Sequence, residues 1–259
     1  MKNLDLVILA GGKGSRIKNF LKNNSKPMMK LNKIFFLQYL INNYSKYPIK
    51  NIYILTGYRS NQIHKKFHNK IYNFSKIICL REKKPMGTGG ALNLLKKRDI
   101  KDFILINGDT VFDINIISFF RSLKKSKLGS IALCSNKKNV NNYKLNNLSI
   151  YKNIIKYNKK SNLMNGGTYL FKKKILKFVP NRECSLEKDI LPKIIKKGLL
   201  TGRVFSNFFL DIGSPKYLKS SSSELKKIYM KPAVFLDRDG VINYDKGYIF
   251  KKKDFKFRK

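Results

Sequence analysis

The chain has 259 residues, with 56 Lys+Arg against 15 Asp+Glu and a formal net charge of +41. That length fits one large α/β domain or one domain with a small appendage, and 42% hydrophobic with 12% aromatic residues exclude a disordered basic tail. Three scattered cysteines, Cys79, Cys134 and Cys184, exclude a disulfide framework and fit a reducing cytosol, while no apolar run is long enough to predict a membrane span.

Leu4–Ala10 is a continuous apolar run, the pattern of a buried parallel strand and too short for a signal peptide. It ends in Gly11-Gly12-Lys13-Gly14-Ser15-Arg16, and helical spacing follows over Ile34–Tyr44. Strands are predicted at Asn51–Thr56, Lys76–Leu80, Phe103–Ile106 and Ser130–Cys134, alternating with helices at Asn61–His68, Thr88–Lys97 and Ile114–Lys124. Such alternation predicts a Rossmann-like, mixed and mostly parallel sheet flanked by helices. Residues 136–160 are polar and rich in Asn and Lys, with weak strand signals. Gly167–Phe171 reads as a strand, Glu187–Lys196 as a helix interrupted by Pro192, Arg203–Leu210 as a strand or strand pair, and Tyr217–Tyr229 as a final helix. Lys231-Pro232 then punctuates the chain and a new apolar strand, Ala233–Leu236, begins. This sets a domain boundary near residue 230, dividing 1–230 from 231–259.

The positive charge has two readings. A binder of nucleic acid or of an anionic membrane carries such a footprint. Against it, only nine of the 56 bases are arginine, the residue suited to bidentate base contacts, and the lysines form no basic arm. The charge is therefore read as compositional bias, with no specific nucleic acid and no membrane expected as partner. The 15 acids discriminate better, and those at strand ends are candidate metal ligands.

Leu9 to Arg16, followed by Lys26-Pro27-Met28, carries the strongest chemical signal. Glycines after a buried strand let the backbone approach a phosphate chain and donate N–H groups to its oxygens. Arg16 suits a pyrophosphate with its planar fork, and Lys26 supplies a point charge. The pattern is neither the P-loop nor the dinucleotide fingerprint, and the plain alternative is a tight strand-to-helix loop. Asp109, in Asn107-Gly108-Asp109, sits where ligands bind in open α/β sheets, unless it only forms the turn. From the residues alone, Thr88 reads as a helix cap and Glu187 as a capping carboxylate near a helix start. His64 and His68 share a helix face but have no third ligand, and read as surface residues.

Together these stretches resemble the sugar-1-phosphate nucleotidylyltransferases. The resemblance rests on LAGGKGSR with KPM, then Gly87-Thr88-Gly89-Gly90-Ala91, Asn107-Gly108-Asp109, Asn165-Gly166-Gly167 and Asp211-Ile212-Gly213-Ser214-Pro215, in order over residues 1–228. It implies the nucleotide-diphospho-sugar transferase fold, with an NTP and a sugar 1-phosphate as substrates and pyrophosphate as a product. By the same resemblance Leu9, Ala10, Gly11, Gly12, Gly14, Ser15, Glu82, Gly87 and Thr88 bind the nucleotide. Arg16, Lys26 and Asp109 are catalytic, Asp109 with Asp211 holds Mg²⁺, and Asn165, Gly167, Glu187 and Lys160 bind the sugar phosphate. The match is imperfect mid-chain: of an Arg-Tyr-Gly usual in the family only Tyr143 is present, and Lys159-Lys160 stands where Glu-Lys is usual.

Ala233 to Asn243, containing Asp237-Arg238-Asp239, resembles the opening of haloacid-dehalogenase-type phosphatases. Asp245, Gly247 and Tyr248 follow as in the branch acting on heptose 1,7-bisphosphate. The resemblance implies a nucleophile at Asp237 and a general acid at Asp239. Only 29 residues run from Lys231 to Lys259, which leaves no room for the later motifs, so no phosphatase activity is expected. The association points to D-glycero-D-manno-heptose 1-phosphate and GTP as substrates, as in the guanylyltransferases of GDP-heptose synthesis, in the cytoplasm. A hexose 1-phosphate with UTP, CTP or dTTP, and a non-catalytic RNA-binding scaffold, are the alternatives; the oligomeric state is left open.

Overall fold

A computed structural model describes residues 4–21, 23–135, 148–213, 215–229, 234–245, 247 and 249–258. Tyr143, Ser214, Ala233 and Tyr248 lie outside the described residues. β1 (Leu4–Ala10) has Leu6, Val7 and Ile8 fully buried, so both of its faces are covered, as its unbroken apolar run requires. A glycine turn, a short 3₁₀ turn and α1 (Lys18–Leu21) follow. The hairpin of β2 (Lys30–Leu31) and β3 (Ile34–Phe35) leads into α2 (Phe36–Tyr44), which buries Phe36, Leu37, Leu40 and Ile41. β4 (Ile49–Thr56), α3 (Ser60–Phe67), β5 (Ile71–Tyr72) and β6 (Ser75–Arg81) come next.

α4 (Gly87–Gly90) runs on as a 3₁₀ segment to Leu95 and precedes β7 (Phe103–Asn107), β8 (Thr110–Phe112), α5 (Ile116–Phe120) and β9 (Gly129–Cys134). β10 (Leu148–Tyr151) and β11 (Ile154–Tyr157) form a hairpin within the polar stretch, followed by β12 (Met164–Phe171). A π-helical turn, Leu186–Ile190, continues into α6 (Leu191–Lys196), and β13 (Leu200–Phe205), β14 (Phe209–Asp211) and α7 (Pro215–Tyr229) complete the order.

The main sheet has ten strands in the order β10-β11-β13-β9-β12-β7-β1-β4-β6-β5. β7, β1, β4 and β6 pair in parallel, and β12 is antiparallel to both β7 and β9. The sheet is thus mixed and mostly parallel. A buried cluster joins Val7, Leu105 and Phe103 to Leu92, Leu95, Ile190 and Ile194, so the helical segments 87–95 and 186–196 cover one face. Each such buried Leu or Ile contributes about 1.5–3 kcal/mol. No helix of the described residues is long and apolar enough to cross a membrane.

Several expectations change. The helix over Ile114–Lys124 is a short α5, capped where the Asn115 side chain accepts from the Ser118 amide at 2.8 Å. Pro192 interrupts nothing, because it stands in the first turn of α6, where a missing N–H is tolerated. The stretch Arg203–Leu210 resolves into β13 of the main sheet and β14, which pairs only with β8. His64 is half-buried rather than superficial, its Nε2 lying 3.0 Å from Thr56 Oγ1, and His68 Nδ1 accepts the Cys79 amide at 3.1 Å. Together they tie α3 to β4 and β6.

The structure divides into two units between Ser222 and Ser223, inside α7. In the second unit the apolar strand expected at Ala233–Leu236 is absent from its described residues, and Val234, Phe235 and Leu236 are exposed. Without hydrogen-bonded neighbours an apolar run has no strand to complete.

Candidate active site

β1, β4, β6 and β7 all end at one edge of the sheet, and the residues just beyond them, Gly11, Gly57, Glu82 and Gly108, line a single cleft of about 630 Å³. That volume suits a nucleotide-sized ligand. The close approach of β7 to β1 depends on Gly108: its amide donates to Leu9 O at 2.9 Å, and a Cβ would stand 2.5 Å from that oxygen. Leu9, Ala10, Gly11 and Gly12 line the cleft, as does Lys13, which sequence reasoning passed over. Gly14 adopts φ +66°, a left-handed conformation that turns the chain into the Ser15–Ile17 helical turn. Ser15 is exposed on that turn and does not line the cleft.

Two short strands bring the acids together. β8 pairs antiparallel with β14, with Thr110 opposite Asp211, and the Ile212 amide donates to Asp109 O at 3.0 Å. An aromatic cluster supports this small sheet: Phe112 packs edge-on against Phe205 and Phe209 at 6.1 and 5.6 Å, and Phe119 against Phe205 at 5.9 Å. Lys26 Nζ donates to Asp109 Oδ2 at 2.7 Å, with the two side chains 11% and 27% exposed. A point at the Cβ position of Gly213 lies 2.8 Å from Asp211 Oδ1, 2.8 Å from Lys26 Nζ and 3.2 Å from Arg16 Nη2. Arg16, Lys26, Asp109 and Asp211, dispersed over nearly 200 residues, therefore converge on one spot. Burial, then the neighbouring Asp109 charge, pushes the Asp211 carboxyl above its ordinary value; the Gly213 amide, Lys26 and Arg16 oppose this.

These donors fit a small divalent cation. Two neighbouring carboxylates, one of them raised by partial burial and then by the other's charge, are relieved by a cation, and one or two carboxylates suit a small divalent ion whose other positions are filled by further oxygens. Among the described residues no group of three or more His, Cys, Asp or Glu could hold a metal on protein ligands alone.

Glu187, also in the cleft lining, receives three hydroxyls. Thr88 donates to its Oε2 at 2.9 Å, Ser185 to the same oxygen at 3.1 Å, and Tyr169 to Oε1 at 3.4 Å. The capping role belongs elsewhere: Ser185 Oγ accepts from the Lys188 amide, and Asp189 accepts from the Ser185 amide at 2.7 Å. Thr88 is not a cap either. Its hydroxyl also accepts the Leu186 amide at 2.9 Å, while the Gly89 and Gly90 amides donate to Cys184 O. The helical turn α4 and the segment 184–187 are thus one hydrogen-bonded assembly.

Asn165 Oδ1 accepts the Gly167 amide at 3.0 Å across a bulge in β12, and its Nδ2 donates to Tyr169 at 2.9 Å. Tyr169 had no motif to mark it; the i, i+4 spacing from Asn165 on a strand was the available signal. Lys160 is exposed in the turn between β11 and β12, outside the cleft lining. Glu82 lies in the cleft against the backbones of Gly11 and Gly57, and burial raises its carboxyl above the usual range, offset by the Met86 amide and reinforced by Glu183. All three cysteines are buried, and burial pushes Cys79 up to about 12.

In the second unit Asp237 is exposed and accepts the Arg238 amide at 2.7 Å. Asp239 is held by the Arg238 guanidinium at 3.0 and 2.7 Å and by Asn243 Nδ2 at 3.1 Å, and the Arg238 hydrogen bond lowers its carboxyl below the usual value.

Comparison with known proteins gives a consistent answer. The family described as Nucleotidyl transferase matches residues 6–227. The D-glycero-alpha-D-manno-heptose 1-phosphate guanylyltransferase of Campylobacter jejuni is 31% identical over 220 residues, covering 82% of this chain and 96% of that protein. The crystal structure of HddC from Yersinia pseudotuberculosis superposes with a TM-score of 0.72 at 30% identity, covering 86% of this chain and all of that one. The same protein complexed with GMP-PN superposes with a TM-score of 0.69. The chain belongs to the nucleotidyl transferase family, and it is a sugar-phosphate nucleotidyltransferase.

Proposed function

We propose that the enzyme transfers a guanylyl group from GTP to D-glycero-D-manno-heptose 1-phosphate, releasing pyrophosphate and forming a GDP-heptose for surface polysaccharide, with Mg²⁺ as its metal and the cytoplasm as its place. The observation that carries the reaction class is the convergence of Arg16, Lys26, Asp109 and Asp211 around Gly213. Two features support the substrates. The Campylobacter and Yersinia proteins named above are a heptose 1-phosphate guanylyltransferase and a protein complexed with GMP-PN. Glu82 also offers a carboxylate inside the cleft, an acceptor pair matched to the N1–H and amino donors of guanine, whereas uracil and thymine present one donor there.

An oxygen of the sugar phosphate attacks the α-phosphorus in line, the bond to the bridging β-phosphate oxygen breaks, and pyrophosphate leaves with that electron pair. No protein nucleophile is required, so rate comes from positioning and charge. The glycine turn 11–14 presents its amides to the phosphate chain, with Lys13 beside it. Arg16 neutralises the leaving pyrophosphate and Lys26 the phosphate oxygens nearest Asp109. Asp109 and Asp211 would hold Mg²⁺, which when bound supplies charge neutralisation between the two substrates' phosphates. Asn165, the Gly167 backbone and Glu187 orient the sugar hydroxyls.

Ranking GTP, UTP, CTP and dTTP by kcat/KM with heptose 1-phosphate tests the substrate assignment: GTP is expected to lead by at least tenfold, and a pyrimidine nucleotide in the lead refutes it. For residues 231–259, we propose the start of a phosphatase domain without hydrolytic activity. Its expected strand is not formed over the described residues 234–236, and Asp239 is tied to Arg238 and Asn243. Heptose 1,7-bisphosphate hydrolysis that disappears in Asp237→Asn would contradict this.

A further inference from the structure

We propose that Tyr169 is a positioning residue for the sugar 1-phosphate, its buried hydroxyl joining Asn165 to Glu187 so that both side chains face the substrate as one unit. The inference rests on the reading that Asn165 and Glu187 hold the sugar. Tyr169 is 1% exposed and stacks on Phe171 with ring centroids 5.4 Å apart and planes 12° apart, which fixes the ring. Its hydroxyl accepts from Asn165 Nδ2 at 2.9 Å and donates to Glu187 Oε1 at 3.4 Å, so its acceptor and donor capacities are both used. Burial and the nearby Glu187 charge raise the phenol well above its ordinary value, so it remains a donor.

The two joined residues come from different elements: Asn165 from β12, beside its bulge, and Glu187 from the turn before α6. Asn165 is set at its other end by the Gly167 amide, and Glu187 at its other oxygen by Thr88 and Ser185. Tyr169 is therefore a direct hydrogen-bonded link between the two. A rigid pair of hydroxyl-binding groups distinguishes sugars by the spacing of their hydroxyls, and a loosened pair does so less well, because polar groups left imperfectly matched lose discrimination. Tyr169 itself need not touch the sugar.

Tyr169→Phe keeps the ring and its stacking and removes only the bridge. With the NTP and sugar 1-phosphate pair that the wild-type enzyme turns over, KM for the sugar phosphate is expected to rise about three- to tenfold while KM for the NTP stays within about twofold. In Glu187→Gln the sugar phosphate KM also rises, and adding Tyr169→Phe to it is expected to cost much less than it does alone. Equal rises in both KM values, no rise, or additive effects in the double variant overturn the role of Tyr169 and leave the sugar-side reading intact. A Glu187→Gln enzyme with unchanged sugar phosphate KM, or a wild-type enzyme that turns over no such pair, overturns the sugar-side reading and Tyr169's role with it.

Discussion

The amide of Ile212 donates to the main-chain carbonyl of Asp109 at 3.0 Å, so the backbones bearing the two site acids are fastened together before any ligand arrives. Asp211 is adjacent to Ile212, and Thr110, adjacent to Asp109, is its partner across the β8–β14 pair. The carboxylates are held close despite their mutual repulsion. Asp109→Asn and Asp211→Asn are expected each to lower kcat by about 10²–10⁴-fold, the scale of losing one electrostatic stabiliser. Circular dichroism and Tm should show the fold unchanged. Near-normal turnover in either variant removes that acid from the mechanism.

Lys26 balances this pair in the free protein. Its ammonium lies 2.7 Å from Asp109 and is largely enclosed. Lys26→Ala leaves two facing carboxylates with Arg16 as their remaining cation among the groups that act on Asp211. The variant is expected to lose on the order of 1–2 kcal/mol of stability, between the exposed and buried limits for ion pairs. Its turnover should fall by at least about a hundredfold. Urea melts check the first figure and steady-state kinetics the second.

Gly108 offers a test that touches no charged group. A methyl group there meets Leu9 O at 2.5 Å, and the turn it would displace carries Asp109. Gly108→Ala is expected to cost about 1–3 kcal/mol through overpacking, with a loss of kcat larger than any change in either KM. A stable, fully active alanine variant would show that the close approach of β7 and β1 is not needed.

Glu82 links pH to stability. Its raised carboxyl means that the folded protein holds more protons than the unfolded chain between the ordinary glutamate value and the raised one. Stability therefore falls as pH rises through that window, and the deficit persists above it. Glu82→Gln removes the deficit: its Tm should match the wild type near about pH 4 and exceed it at about pH 7. The same variant should raise KM for GTP by about tenfold, the loss of a hydrogen bond to a charged group. A Tm difference independent of pH would contradict the buried-carboxylate account.

The sequence showed the parts of this site that depend on backbone pattern. The unbroken apolar run of β1 and the glycines after it place the glycine turn at the cleft, and Asn107-Gly108-Asp109 marks a strand end. What it did not show depends on pairing across the chain. Nothing local in Phe209–Asp211 reveals that it leaves the main sheet for β8, yet that pairing brings Asp211 to Asp109. Thr88 and Glu187 each had a sound local role as caps, and both are diverted into a bond between elements 99 residues apart. Tyr169 looked like one more buried strand residue until its hydroxyl partners were in place. The strand expected at Ala233–Leu236 is not formed over its described residues 234–236, for the converse reason: an apolar run makes a strand only where neighbours exist to pair with it.

Pyrophosphate release from GTP and D-glycero-D-manno-heptose 1-phosphate in the presence of Mg²⁺ tests the central claim most directly, with hexose 1-phosphates and the other NTPs alongside. The account predicts stoichiometric pyrophosphate and GDP-heptose from the wild-type enzyme, abolished by chelation and reduced at least about a hundredfold in Asp109→Asn. No turnover with any pair, or turnover that survives both chelation and Asp109→Asn, would contradict it.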